Sequence, residues 1–265
     1  MSTATTGPGA GHGHFAWADL MSPDTADACD FYGSLLDWVP TSLPDHPASN
    51  YTLFTLDGAR VAGLVPMSPQ MQEQGVPSRW VSYILVDDVD AVAGRVEGLG
   101  GRVHLPPMDV VDSGRMALIE DPSGGSVALW QANRHRGADR LHDRGCMTWN
   151  ELLTRNPGAA CAFFAALLGW SYRTIETPQG SYELAMLDGE RVGGIMAMPS
   201  QVPGEVPPHW DVYFAVDDVD EVAGRARALG GAVPMPPMTI PVGRLALVAD
   251  RAGATFTIYR ASEGS

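Results

Sequence analysis

A tryptophan followed two residues later by an acidic side chain occurs twice in the chain, as Trp17–Asp19 and as Trp149–Glu151. Successive side chains of a β-strand alternate between its faces, so each pair lies on one face if its segment is a strand. An indole ring stacks on a flat organic molecule, and a carboxylate accepts a hydrogen bond from a hydroxyl or pairs with an amine. Burial of a carboxylate is costly without hydration or a partner, so each pair predicts a wet cavity or a basic neighbour.

Other kinds of chemistry find little support in the residue pattern. We see no Ser-His-Asp order, no glycine-rich phosphate loop and no dinucleotide-binding signature. The histidines lack metal-ligand spacing. Cys29 and Cys161 occupy equivalent positions of a predicted helix and have no basic neighbour in sequence that marks a nucleophile, so we expect both to be small core residues.

Composition narrows the class of protein further. The chain has 17 Lys+Arg against 31 Asp+Glu, a net charge of −14, which argues against nucleic acid and anionic membranes as partners. No apolar run is long enough for a transmembrane helix, and residues 1–13 resemble a disordered tail of small residues rather than a signal peptide. With an odd number of cysteines, we expect a cytoplasmic protein.

An internal repeat organises the chain. Asp30–Trp38, DFYGSLLDW, returns 132 residues later as AFFAALLGW, and Val86–Gly101, VDDVDAVAGRVEGLGG, returns 130 residues later as VDDVDEVAGRARALGG. The chain is therefore predicted to hold two copies of one domain of about 130 residues. We place the domains at residues 14–132 and 145–262, with a linker at 133–144.

Each copy is itself predicted to contain two β-α-β-β-β modules, which gives four modules and an α+β fold class. The first helix of each copy follows a cap-and-proline signal, Ser22-Pro23 or Asn156-Pro157. Two pairings of the modules stay open. Modules one and two share a sheet, which puts Trp17 near Tyr83, or modules one and four pair.

The second helix of each copy begins at the VDDVD segment. We expect Asp87 or Asp217 as its N-cap, with Asp90 or Asp220 three residues on, where a capping box places an acid. The acids of VDDVD are therefore interpreted as a helix start, where the helix dipole favours negative charge, rather than as a carboxylate site.

A strand, FYxxLLxW, a strand leading into VDDVDxV, a DPxG turn and a last strand together resemble the vicinal oxygen chelate superfamily. That family includes glyoxalase I, extradiol dioxygenases, fosfomycin-resistance enzymes and bleomycin-binding proteins. The resemblance covers nearly all of Phe15 to Ala261. It implies two tandem domains whose four modules form curled mixed β-sheets with helices on the outer face. The tandem layout is similar to actinobacterial glyoxalase- or hydroxylase-like proteins, some of which accompany polyketide antibiotic pathways.

The enzymes of this family hold a divalent metal on the concave face of the sheet, through His, Gln or Glu ligands. Carried over to this sequence, the ligand positions fall on Trp17, Val81 and Ala128 in the first copy and on Trp149, Asp211 and Thr257 in the second. Only Asp211 is a metal ligand type, and a metal site needs several. We therefore expect no metal and no cofactor, and no glyoxalase I or dioxygenase chemistry of the usual type.

The same positions, extended by strand alternation, predict the walls of two ligand cavities. The predicted ligand-binding residues are Trp17, Asp19, Tyr83 and Trp130 in the first copy and Trp149, Glu151, Asp211, Tyr213 and Tyr259 in the second. Candidate basic partners of the acids are Arg115 and Arg244, each following a glycine; such pairs would equally serve to stabilise the fold. Trp80 and Trp210 fall on the opposite face, so we expect them to pack under the helices.

Three functions are consistent with such cavities. The first is metal-independent binding of an aromatic or polyketide-like small molecule, in antibiotic biosynthesis or resistance. The second is a cofactor-free enzyme, a lyase, isomerase or hydroxylase accessory, with Asp19, Glu151 or Asp211 as general base. The third is a regulatory or interaction protein with relic pockets. The two copies form an internal pseudo-dimer, which allows a monomer, and a homodimer is the alternative.

Overall fold

The computed structural model describes residues 11–43, 51–177 and 180–262. Residues 1–10 of the predicted tail lie outside the described residues. The described chain consists of four consecutive β-α-β-β-β modules, each followed by the next in the order that the repeat predicts.

The elements have the following bounds. Module one contains β1 (Phe15–Ser22), α1 (Thr25–Leu36), β2 (Val39–Leu43), β3 (Tyr51–Leu56) and β4 (Ala59–Pro66), and a short helix α2 (Pro69–Glu73) follows it. Module two contains β5 (Arg79–Leu85), α3 (Val89–Val96), β6 (Arg102–Val110), β7 (Gly114–Glu120) and β8 (Ser126–Ala132). Module three contains β9 (Met147–Thr154), α4 (Pro157–Leu168), β10 (Ser171–Thr177), β11 (Gly180–Leu187) and β12 (Glu190–Ala197). Module four contains β13 (His209–Ala215), α5 (Val219–Ala228), β14 (Ala232–Ile240), β15 (Gly243–Ala249) and β16 (Thr255–Ala261).

The strands form two mixed sheets of eight. The first has the order β2-β3-β4-β1-β5-β8-β7-β6, and the second has the equivalent order β10-β11-β12-β9-β13-β16-β15-β14. Within each module the first and last strands pair in parallel, as β1 with β4 and β5 with β8. Modules one and two therefore share one sheet, which settles the open choice of sheet partner. The sheets are curled and carry helices on their outer face, so the predicted α+β fold is confirmed.

Helix starts are set by side chains that accept from the first free backbone N–H groups. Asn156 caps α4 by accepting from the N–H of Ala159, as predicted. For α1 the prediction of Ser22 was wrong, because the carboxylate of Asp24 accepts from the N–H of Asp27 and the helix begins at Thr25.

The caps of α3 and α5 lie one residue later than predicted. Asp88, not Asp87, accepts from the N–H of Ala91, and Asp218, not Asp217, caps α5. The doubled acid in VDDVD leaves the choice between neighbours to the backbone, and in both copies the second residue has the extended conformation that a cap requires. None of the helices in the described ranges is long and apolar enough to cross a membrane.

The described chain divides into two compact units, each built from segments that are distant in sequence. Unit 1 comprises residues 11–16, 82–137, 150–177 and 180–211, and unit 2 comprises residues 17–43, 51–81, 138–149 and 212–262. The divisions fall inside β1, β5, β9 and β13. Unit 2 thus combines most of modules one and four, and unit 1 combines most of modules two and three.

An aromatic cluster fills the core of unit 2. The ring of Tyr32 on α1 stacks on Trp38 at 5.7 Å and meets Trp80 edge-on at 5.4 Å. Its hydroxyl accepts from Trp80 Nε1 at 3.1 Å and donates to Asp250 Oδ2 at 3.1 Å. Burial raises the pKa of Tyr32 and the pKa of Asp250. The network lets two rings and a carboxylate be buried together with their polar atoms hydrogen-bonded.

Unit 1 has the same core with one hydroxyl fewer. Phe164 on α4 occupies the position of Tyr32, stacks on Trp170 at 5.1 Å and meets Trp210 edge-on at 5.6 Å. In the described part of the chain, the buried Nε1 of Trp210 has no hydrogen-bond partner. A different polar pair, Ser82 Oγ donating to Asn150 Oδ1 at 2.6 Å, lies in the interior of this unit. Trp80 and Trp210 both pack under helices, which confirms the prediction for these two rings.

An arginine fastens a helix end in each unit. In unit 2, Arg225 on α5 donates to the carbonyl of Leu35 near the end of α1. In unit 1, Arg95 on α3 donates to the carbonyl of Leu167 at the equivalent place on α4. A cation at the C-terminal end of a helix satisfies free carbonyl groups and complements the helix dipole. Each unit therefore holds helices from two distant modules together by the same device.

The two cores make opposite predictions for one hydroxyl group. Tyr32→Phe leaves Trp80 Nε1 and the Asp250 carboxylate short of a partner, so we expect the free energy of unfolding to fall by about 1–3 kcal/mol. Phe164→Tyr offers Trp210 Nε1 an acceptor, so we expect a gain of about 0.5–1.5 kcal/mol. Urea denaturation followed by tryptophan fluorescence measures both changes. A loss of stability in Phe164→Tyr would contradict this account of the unit 1 core.

Candidate functional site

The carboxylate of Asp19 is the centre of a buried polar cluster in unit 2. Trp17 Nε1 donates to Asp19 Oδ1 at 2.8 Å, and the hydroxyl of Tyr51 on β3 donates to the same oxygen at 2.7 Å. Trp17 Nε1 also lies 3.2 Å from the Tyr51 hydroxyl. All three side chains are less than a tenth exposed. Trp17 and Asp19 share one face of β1, as their spacing predicts, and the cluster binds the carboxylate through neutral donors.

Gly63 on β4 provides the space in which this cluster sits. It is the register partner of Asp19 in the parallel pair β1–β4. A Cβ atom at this position would lie 1.9 Å from the Tyr51 hydroxyl and 2.1 Å from Asp19 Oδ1, far inside contact distance. Gly63 lies in regular strand, so the requirement for glycine comes from space and not from backbone conformation. The phenol and the carboxylate meet over the glycine backbone.

The second copy repeats this arrangement in unit 1. Glu151 on β9 is the register partner of Gly194 on β12. The hydroxyl of Tyr182 on β11 lies 1.8 Å from the position of a Gly194 Cβ, so this phenol too extends across a glycine beside an acid. Glu151 is 8% exposed, so its carboxylate, one methylene longer than that of Asp19, is buried as well.

Sequence reasoning missed Tyr51 and Tyr182 as members of the site. Both begin the third strand of their copy, in NYTLFTL and in SYELAML, 131 residues apart. Gly63 and Gly194 have the same spacing of 131. A tyrosine and a glycine repeated at one offset was the available signal. It could not be interpreted because the family's middle-strand ligand position had not been aligned.

A rigid aromatic pair lies in unit 1. Tyr83 on β5 and Trp130 on β8 meet edge-on with ring centroids 6.2 Å apart, and both are nearly buried. Trp130 Nε1 donates to the carbonyl of His135 at 2.8 Å, and the His135 imidazole meets the indole edge-on at 5.8 Å. The indole is therefore held at its polar tip, while its ring remains available for apolar contact. His135, expected in the linker, contributes to this cluster.

Unit 2 carries the equivalent pair. Tyr213 on β13 and Tyr259 on β16 lie 6.3 Å apart, and the Tyr259 hydroxyl donates to the carbonyl of Val242 at 2.5 Å. Thr257, buried, is the register partner of Tyr213. A ring whose tip is tied to a backbone carbonyl thus recurs at the last strand of both copies, with Trp130 replaced by Tyr259.

The remaining predicted site residues lie on the expected strands. Trp149 is partly buried on β9, and Asp211 is 5% exposed on β13, in unit 1. The structure therefore brings together Trp17 with Asp19, Tyr83 with Trp130, and Tyr213 with Tyr259. It places Glu151 beside the Gly194–Tyr182 crossing.

The predicted partnership of Arg115 with Asp19 was wrong. Arg115 Nε donates to Asp90 Oδ2 at 2.7 Å and its Nη1 donates to Asp109 Oδ1 at 2.8 Å, on the surface of unit 1. This guanidinium holds the pKa of the Asp90 carboxyl below its usual value. Asp19 is instead stabilised by the neutral donors described above.

The second predicted partnership, of Arg244 with Glu151, was wrong in the same way. Arg244 Nε donates to Asp220 Oδ2 at 2.6 Å and its Nη1 donates to Thr239 Oγ1 at 2.9 Å. The pair lowers the pKa of Asp220. In both copies the acid predicted to complete a capping box therefore fixes an arginine of the neighbouring hairpin.

The positions that correspond to the family's metal ligands do not fit a metal ion. In the first copy they carry Trp17, Val81 and Ala128, none of which offers a metal an oxygen or nitrogen lone pair. Trp17 uses its single N–H on Asp19. Across the described ranges, no group of three or more His, Cys, Asp or Glu side chains is placed to hold an ion. Metal independence itself remains a prediction.

The three thiols show no sign of activation. Burial raises the pKa of Cys146 to about 11 and the pKa of Cys161 to about 12, and it also raises the pKa of Cys29. A thiol is nucleophilic as its thiolate, so these shifts make the cysteines unreactive near neutral pH. Cys29 and Cys161 are partly exposed, which corrects their expected placement in the core.

The modules, their paired curled sheets and the duplicated carboxylate-phenol crossing define a tandem protein with one fold repeated in each half. The family model of the Glyoxalase/Bleomycin resistance protein/Dioxygenase superfamily matches residues 12–129 and again 147–258. The chain belongs to this superfamily.

Relatives extend over almost the whole chain. A putative glyoxylase, CFP32, of Mycobacterium tuberculosis is 44% identical over 250 residues, covering 92% of this chain and 93% of the relative. The anthracycline biosynthesis protein DnrV of Streptomyces peucetius is 38% identical over 259 residues, covering 94% of each. Among solved structures, the Mn(II)-bound glyoxalase from Novosphingobium aromaticivorans matches with a TM-score of 0.65 at 17% identity, covering 94% of this chain and 82% of that one. This last likeness concerns the fold alone.

The space over Gly63 makes a prediction about stability. Gly63→Ala forces a methyl group into the Tyr51 phenol and the Asp19 carboxylate, so we expect the free energy of unfolding to fall by about 1–3 kcal/mol. Gly94→Ala is the matched control. Gly94 lies in α3 with open space around its Cβ position, so alanine should stabilise by about 0.5–1 kcal/mol. Denaturation in urea measures both. Equal stability of Gly63→Ala and the wild type would refute the tight crossing.

Proposed function

We propose that the chain binds a flat aromatic, polyketide-like small molecule without a metal ion, in antibiotic biosynthesis or resistance. The binding residues are Trp17, Asp19, Tyr83 and Trp130 in the first copy. Their counterparts in the second copy are Trp149, Glu151, Asp211, Tyr213 and Tyr259.

The observation that carries the proposal is the Asp19 cluster. A buried carboxylate bound by an indole N–H and a phenol O–H combines flat apolar surface with one strong acceptor. Sites for small organic molecules have this composition, mostly apolar walls with a few fixed polar groups. The same combination of acid, phenol and glycine occurs in the second copy, at Glu151 and Tyr182.

The aromatic pairs support the same ligand class. Trp130 and Tyr259 are each tied at the polar tip, so their rings lose little conformational freedom when a flat molecule packs against them. The relative from Streptomyces peucetius is named for anthracycline biosynthesis, which agrees with a polyketide-like ligand.

Binding is favoured over catalysis by the state of Asp19. Two donors on one oxygen favour the ionised carboxylate and occupy the oxygen that a proton would take. A general base of neutral operating range is more often raised in basicity by apolar burial without such donors. We include in the proposal a cytoplasmic location, a monomer with two copies as an internal pseudo-dimer, and domains at 14–132 and 145–262.

Titration of EDTA-treated protein with 2-naphthol, followed by protein-observed NMR, tests the proposal. We expect saturable binding that added Mn²⁺ or Zn²⁺ does not strengthen. Trp130→Leu removes a stacking ring worth about 0.5–1.5 kcal/mol beyond its area, so affinity at the first copy should fall roughly twofold to tenfold.

Val39→Ala is the control, because Val39 is 58% exposed on β2 and belongs to none of the proposed walls. It should bind like the wild type. Binding that appears only after a divalent metal is added would overturn the proposal, and so would unchanged affinity in Trp130→Leu together with Tyr259→Leu.

A further inference from the structure

The hydrogen-bond donors of the Asp19 cluster are already committed. Trp17 has one N–H and Tyr51 has one O–H, and both point to Asp19 Oδ1 at 2.8 and 2.7 Å. An ionised carboxylate has no donor of its own. Whatever else the cluster contacts, it can therefore offer a further group only acceptor lone pairs.

Acceptor capacity, in contrast, exceeds what these two bonds use. A carboxylate has about four lone-pair positions, and the phenol oxygen accepts as well as donates. The bonds to Trp17 and Tyr51 both fall on one carboxylate oxygen, and Gly63 keeps the phenol and the carboxylate together. The chemistry of the cluster is thus that of an acceptor held on an aromatic surface.

We infer that the ring-bearing ligand is recognised through a hydroxyl group that donates a hydrogen bond to the Asp19 cluster. The ligand class is therefore a neutral hydroxylated aromatic molecule, and molecules whose only polar groups are carbonyl, ether or carboxylate oxygens are rejected. This inference rests on the proposed function and specifies it. Glu151, beside the Tyr182 phenol over Gly194, has the same preference in the second copy.

Three probes of one ring system test the preference. 2-Naphthol donates a hydrogen bond and is neutral at pH 7, 2-methoxynaphthalene has the oxygen without the donor, and naphthalene has neither. We expect 2-naphthol to bind about tenfold more tightly than either of the others, the gain expected of a hydrogen bond to a charged acceptor. The two comparators bracket the probe in size, so steric exclusion does not explain a preference over both.

Variants assign the preference to named groups. Asp19→Asn together with Glu151→Gln should reduce it to about one, because an amide presents a donor as readily as an acceptor. Asp188→Asn, in an exposed turn, is the matched control and should keep the preference. Tyr51→Phe has the opposite expected sign. It removes one donor from Asp19 without removing the acceptor, so the preference for the hydroxyl should rise.

The outcomes separate the two proposals. Equal binding of all three probes, or a fall in preference in Tyr51→Phe, would overturn the hydroxyl inference while the proposed binding function survives. Binding of none of the probes would overturn both. An unfolded Asp19 variant does not remove the test, because Tyr51→Phe carries an independent prediction of opposite direction.

Discussion

The convergence of an indole N–H and a phenol O–H on one carboxylate oxygen is the constraint from which the site is built. Asp19 is 6% exposed, and a charge so placed is stable only if hydrogen bonds replace water. To supply them, β1 must present Trp17 on the same face and β3 must carry Tyr51. The intervening strand β4 must have glycine at position 63. A requirement of one buried charge thus fixes residues on three strands of the first sheet.

Duplication shows which parts of this design are held and which vary. The acid, the phenol and the glycine occur in both copies, with Asp19 answered by Glu151. The tied ring of the last strand changes from Trp130 to Tyr259, and the core hydroxyl of Tyr32 is absent at Phe164. The two halves therefore share an architecture but differ in the shape of the proposed walls. One core contains a complete polar network and the other leaves an indole N–H without an acceptor.

Much of the fold follows from local patterns in the sequence. The repeat offsets predict the four modules, and strand alternation predicts that Trp17 and Asp19 share a face while Trp80 packs under a helix. What failed depended on contacts between distant segments. Tyr51 reaches Asp19 only because β3 and β1 flank β4, and Arg115 turns to Asp90 because α3 lies against its hairpin. The cap of α3 was misplaced by one residue because Asp87 and Asp88 are the same residue type and only the backbone distinguishes them.

Native mass spectrometry of the protein purified from its own host, combined with elemental analysis, tests the central claim most directly. The account predicts a retained organic molecule whose spectrum shows an aromatic ring system with a free hydroxyl, and metal content far below one ion per chain. A stoichiometric Mn, Fe, Ni or Zn ion that the protein needs to retain its ligand would contradict it.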